Sequence, residues 1–151
     1  SMTLAITGEA AVVFLVARVL VGGVVAFMGL NHFLNAEDMA GYAGMKGVPA
    51  PGLMVPFTGG MLLFGGLSIA LGFYPVVGAG AIAVFLVVTT PLMHDFWAMD
   101  DPEQQQNELT AFLKNVVMLG TALGFLVLAG TGWEYSIATG ELAAALVTPL
   151  F

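Results

Sequence analysis

Four long apolar stretches constrain this chain most, because each is long enough to cross the hydrocarbon core of a bilayer as a helix. They run from about 10 to 33, 53 to 73, 76 to 94 and 108 to 130. Composition agrees with that reading. Hydrophobic residues make up 59% of the chain and charged residues only 9%, where a soluble domain carries roughly 25% charge to face water. The expectation is an all-α integral membrane protein, an antiparallel up-down four-helix bundle with both termini on one side. It is one transmembrane domain over 1–151, multi-pass in the cell membrane, with 131–151 as an interfacial tail.

Charge narrows the partners. The net charge of −7 comes from ten acids against Arg18, Lys46 and Lys114, the opposite of a nucleic-acid-binding surface. Cysteine is absent, which removes disulfides, thiol redox chemistry, Cys-ligated zinc and Cys-held iron–sulfur clusters. Ser1 before Met2 reads as a tag scar. The first apolar stretch lacks a basic n-region and runs too long for a cleaved signal peptide.

The connections carry the next layer of information. A polar, turn-rich segment follows the first span and ends in Lys46-Gly47-Val48-Pro49-Ala50-Pro51-Gly52. Tyr74-Pro75 makes a tight break between the second and third spans. Asp101, Pro102 and Glu103 form a helix start, with the aspartate as N-cap and proline at the first helical position. Trp133 and Tyr135 suit the headgroup level. Small residues recur four apart at Gly22/Ala26, Gly66/Ala70, Ala79/Ala83 and Gly120/Gly124, a spacing that lets backbones approach closely. Gly120/Gly124 is the best candidate.

Four antiparallel spans put the 34–52 and 95–107 connections on one side and the Tyr74-Pro75 turn on the other with the termini. Asn31, His32, Lys46, His94, Asp95, Glu108, Lys114 and Asn115 then share one end. His32 and His94 close the first and third spans at comparable depth, so bis-His haem ligation is open, as is hydrogen bonding at the interface. His94 with Asp95 as orienter suits general acid work. Lys114 either snorkels toward the loop side or pairs with Asp95 or Glu108 around a polar cavity. Glu108 and Asn115, seven apart, share a helix face. Arg18 sits in the first span, where it snorkels to Glu9 or Glu134 or faces the interior on a stripe with Gly22, Val25, Gly29 and His32.

Several motifs together resemble the DoxX family: the Arg18 span ending Gly29-Leu30-Asn31-His32-Phe33, Lys46-Gly47-Val48-Pro49, Gly65-Gly66-Leu67-Ser68, His94-Asp95-Phe96-Trp97, and Phe112-Leu113-Lys114-Asn115 followed by Gly120. The similarity covers roughly 12 to 136. It implies a small four-helix membrane protein linked to thiosulfate:quinone oxidoreductase, terminal quinol oxidase and membrane oxidoreductase complexes, with Arg18, His94, Asp95, Lys114 and Asn115 as family-type polar positions. The sequence has no obvious flavin or dinucleotide motif, so a redox centre would come from bound quinone, haem or a partner subunit.

The leading expectation is a subunit binding a quinone or similar lipophilic ligand, with His94 and Asp95 as the catalytic pair. Arg18, Asn31, His32, Glu108, Lys114 and Asn115 are the ligand-binding candidates, and no metal is expected. The alternatives are a non-enzymatic scaffold that docks a soluble oxidoreductase, a bis-His haem protein, and a homo-oligomer.

Overall fold

The computed structural model describes residues 5–137. Its helices are α1 (Gly8–Leu34), α2 (Ala36–Met45), α3 (Pro51–Leu71), α4 (Pro75–Met93) and α5 (Pro102–Leu128). Four of them, all but α2, are long and apolar enough to span a membrane. A spanning helix satisfies its own backbone hydrogen bonds, which lipid cannot do for it. Local signals set the boundaries. Pro51, Pro75 and Pro102 stand at helix starts, and the Asp101 carboxylate accepts from the Gln104 amide at 3.4 Å. Tyr74 turns the chain into α4 in a left-handed conformation with φ of 46°.

The termini meet at one end. Ala5–Ile6 (β1) pairs in parallel with Gly132–Trp133 (β2), in the register Ala5 to Gly132 and Ile6 to Trp133. This is the arrangement expected of four antiparallel spans, with the α3–α4 turn at that same end. The other end holds α2 and a 3-10 turn at Phe96–Ala98. The helix α2 is a difference from the sequence reading, which has only a turn-rich connection at 34–52.

Packing proceeds in chain order, α1 on α3, α3 on α4 and α4 on α5. The α1–α3 contact is the closest. A Cβ on Gly22 would lie 2.7 Å from the Ala70 amide nitrogen, and one on Gly29 would lie 2.6 Å from the Gly59 carbonyl oxygen. Only residues without side chains allow that approach, and in lipid it is dispersion between close backbones that holds helices together. The Gly22/Ala26 and Gly66/Ala70 pairs therefore face each other. Gly120 and Gly124 instead meet nothing within 4 Å. The spacing in α5 looks identical, but its glycines lie on the outward face.

The helix α5 does not close back along α1. The two meet at the terminus end, where the Phe14 and Phe125 rings lie 5.7 Å apart and Trp133 stands edge-on to Phe14 at 5.0 Å. Trp133 is only 5% exposed. The tail therefore turns this indole into the protein rather than out to the headgroup level. The remainder of the expected interfacial tail, 138–151, lies outside the described residues.

Candidate functional site

At the terminus end, Arg18 is completely buried. Its Nε donates to the Ile69 carbonyl at 3.0 Å and its Nη1 to the Glu134 carbonyl at 2.9 Å. Its Nη2 donates to the carbonyls of Ala70 and Tyr135 at 3.1 and 3.2 Å. The Trp133 ring lies 5.0 Å from the guanidinium carbon. Two of those carbonyls belong to the last turn of α3, whose oxygens lack helical donors and carry the negative end of the helix dipole. The other two belong to the segment after α5. Arg18 thus faces the interior and joins α1, α3 and the tail. Its partners correct the sequence expectation, since Glu134 contributes its main-chain carbonyl and neither Glu9 nor Glu134 forms an ion pair with it. Ser136 Oγ donates to the Gly72 carbonyl at 2.6 Å, and the Ile137 amide to that of Leu71 at 2.9 Å, so the same strap is tied twice more.

The loop end is built from side chains. Glu108 on α5 accepts from His94 Nδ1 at 2.8 Å and from the Tyr42 hydroxyl at 3.4 Å. Lys46 Nζ and Asp95 Oδ1 are 2.7 Å apart. The Lys46 ammonium also lies 5.7 Å from the centre of the Tyr42 ring. Tyr42 of α2 and Lys46 just past its end, one turn apart, therefore reach across to the ends of α4 and α5. The hydrogen bond to Asp95 raises the Lys46 pKa above the usual lysine value. Burial, followed by the nearby Glu108 charge, raises that of Tyr42.

These pairings differ from the expected ones. The sequence pairs Asp95 with Lys114 or with His94 as its orienter; in the structure Asp95 holds Lys46, while Glu108 holds His94. With Nδ1–H given to Glu108, the Nε2 atom of a neutral His94 is left as the acceptor nitrogen. Tyr42 completes a cluster that the sequence reading holds only in part; Lys46 is expected at this end but not as the partner of Asp95. Asn35 before an acidic first turn, Glu37 and Asp38, was the available signal for α2.

The remaining candidates separate. His32 Nδ1 donates to the Val55 carbonyl at 3.0 Å and lies 3.1 Å from the Thr58 hydroxyl, both on α3. Asn31 accepts from the Asn35 side chain at the end of α1. Asn115 Nδ2 donates to Thr90 Oγ1 at 3.2 Å, tying α5 to α4 one helical step below the cluster. Thr90 is 5% exposed and was not singled out from the sequence. Lys114 is exposed and makes no hydrogen bond or ion pair among the described residues.

Between α1 and α5, where the bundle is not closed, lies an apolar cleft of about 270 Å³. The first helix contributes Leu20, Val21, Val24 and Val25, and α5 contributes Met118, Thr121, Ala122 and Phe125. Its back wall is Ile69, Ala79 and Ile82. Leu20 and Val24 are 62% and 59% exposed, so the cleft opens sideways toward lipid. At its terminus end Phe125 stacks 6.2 Å from Trp133, beside the Arg18 network. Toward the loop end, Asn115 lies three residues before Met118, a rise of about 4.5 Å. Lys114, Met118, Thr121 and Phe125, spaced four, three and four apart, form one stripe along α5. Chemically, the cleft takes an apolar chain, and the groups that can bond a polar head lie at its loop end.

The DoxX family model matches residues 13–95, from α1 through the end of α4. Comparison with curated proteins and with solved structures returned no match.

Proposed function

The chain belongs to the DoxX family, and from the sideways-opening cleft we propose that it is a membrane subunit binding a quinone-type amphiphile between α1 and α5. The observation that carries this reading is the layout of the cleft. Ligand sites for lipophilic molecules combine an apolar slot with a few polar groups that fix the head. Here the slot is lined by aliphatic side chains with Met118, Thr121 and Phe125, and its volume suits part of a chain rather than a whole drug-sized ligand. The head then sits toward Asn115 and His94, which offer an amide donor and an imidazole.

The His94–Glu108 pair suits proton handling. An imidazole held through Nδ1 by a carboxylate is fixed in tautomer, and the carboxylate stabilises the cation when Nε2 takes a proton. Tyr42 on the far side of Glu108 continues the chain of hydrogen bonds toward the loop-side water. In this reading His94 is the acid nearest the head and Glu108 its positioning partner. Asp95, salted to Lys46, holds α2 over the site.

Tryptophan fluorescence provides the test. Trp133 lies beside Phe125 at the inner end of the cleft, whereas Trp97 packs 6.1 Å from Phe112 at the loop end. In a Trp133→Phe background, a decyl-benzoquinone should quench Trp97 saturably, because the head sits toward the loop end and quinone rings accept excitation energy at short range. Thr121→Phe, which fills the cleft, should weaken that binding at least tenfold. Non-saturating quenching, equal in both variants, rejects the site.

A second reading, docking of a soluble oxidoreductase at the loop end, is favoured by a different observation. Glu37, Asp38, Asp100, Asp101 and Glu103 are exposed there, together with Met45 at 84% and Trp97 at 57%. The two readings concern separate surfaces. Replacing the loop acids with amides should abolish co-purification while leaving quinone quenching intact. His32 and His94 are held through Nδ1 by separate helices, α3 and α5, and no contact among the described residues brings the two rings together, so bis-His haem gains no comparable support.

A further inference from the structure

The chain has three cations, and their surroundings differ. Arg18 is held by four carbonyls and Lys46 is paired with Asp95. Lys114 has neither kind of partner among the described residues, although it sits within a spanning helix. A charge within hydrocarbon is costly unless it reaches water or an opposite charge. Its helical side chain leans toward the N-terminal, loop-side end of α5, the direction of the lipid headgroups.

Its position on the helix is specific. Lys114 stands at the top of the stripe that continues through Met118, Thr121 and Phe125 into the cleft. The rise from Lys114 to Met118 is about 6 Å. Toward the loop side the same stripe carries Thr110 and Asn107, both exposed. An apolar slot open to lipid thus has an unpaired ammonium on its rim and neutral polar groups above that. A neutral quinone head has no need of a full charge. A phosphate does, and the Lys114 side chain leans toward the headgroup level where phosphates lie.

We infer that Lys114 binds the phosphate of an anionic phospholipid whose acyl chain occupies the cleft, and that this lipid competes with the quinone-type ligand for the site. The inference rests on the proposed ligand role of the cleft and adds the class of its competing occupant. With a net charge of −7, the protein as a whole repels anionic lipid. A preference for such lipid therefore has to come from a local site.

The experiment uses the full chain in nanodiscs containing equal amounts of phosphatidylglycerol and phosphatidylcholine with identical acyl chains. Lipids retained by the protein are counted by native mass spectrometry. The wild type should retain phosphatidylglycerol about fivefold over phosphatidylcholine, the factor expected for one lysine near an anionic headgroup. Lys114→Arg should keep the preference and Lys114→Gln should lose it. Lys114 is exposed and unpaired, so neither change threatens folding, and circular dichroism confirms this in the same samples. Thr121→Phe should lower retention of both lipids. The absence of a preference in the wild type, or a preference that survives in Lys114→Gln, overturns the inference. So does a preference that inorganic phosphate abolishes without displacing the bound lipid chain, since the anion site would then be separate from the cleft. Saturable Trp97 quenching with no lipid preference rejects the lipid and leaves the quinone reading standing. A Lys114-dependent lipid preference without saturable quenching does the reverse.

Discussion

The two ends of this bundle handle charge in opposite ways. At the terminus end one buried guanidinium is surrounded by main-chain carbonyls, and the groups it touches belong to three separate segments. At the loop end the charged pairs Lys46–Asp95 and His94–Glu108 are between side chains, and both are partly exposed. A charge saturated by backbone can move only if the fold moves. A charge held by another side chain can be released, exchanged or titrated. The first arrangement is structural, and the second is available for chemistry.

The sharpest break of that contrast is Arg18→Met. Four carbonyls would lose their donor in a buried site, and the strap over the terminus end would lose its anchor. The expected cost is about 3–5 kcal/mol, read as loss of folded protein on size-exclusion chromatography in detergent. Survival of a stable bundle would make the strap an accessory.

Gly66→Leu should follow in size. Its side chain would be driven into Ala26 and the Gly22 carbonyl of α1, at about 2–3 kcal/mol, while Gly124→Leu on the outward face of α5 should leave the thermal midpoint unchanged. Equal effects would mean that α5 packs against something on its outer face.

Glu108→Gln is expected to be milder for the fold, at about 1 kcal/mol, because the pair it breaks is partly exposed. Its effect should appear in function instead, as a weakened head-group interaction read as a higher Kd for the quinone. A variant indistinguishable from wild type in that affinity would remove Glu108 from the site.

The smallest effect is the response to alkali. Lys46 and Tyr42 both have raised pKa values in the folded chain. Their stabilising contribution is therefore complete below the ordinary lysine and tyrosine values, roughly 10. It is lost as pH rises through the higher, folded values. Thermal stability should stay flat from neutrality to about that point and fall above it, and Lys46→Met should flatten the fall. Tyrosinate absorbance should show a late-titrating component that Tyr42→Phe removes. A loss of stability near neutrality in the wild type would contradict the assignment.

The spans were legible because lipid imposes a demand that composition alone reveals. The start of α5 was legible because Asp101, Pro102 and Glu103 act locally. Gly120 and Gly124 misled for the converse reason. The sequence gives their spacing but not which face α4 covers, and the glycine pairs in use are those on α1 and α3. The helix α2 was hidden by Gly41, Gly44 and a short length, so Tyr42 was not seen as a partner for Glu108. The Arg18 carbonyls were out of reach because they depend on where the tail folds, and carbonyls carry no residue identity to read. Of the polar cluster, His94, Asp95 and Glu108 do come together, but with partners exchanged, since the position of Lys46 depends on α2.

Photoaffinity labelling tests the central claim most directly. A decyl-quinone bearing an azido group on its tail should label α1 near 20–25 and α5 near 118–125, with excess unlabelled quinone protecting both. Labelling spread over the outer faces of α1 and α5 without protection would show that the cleft is merely lipid-filled, and the ligand site would have to be sought elsewhere.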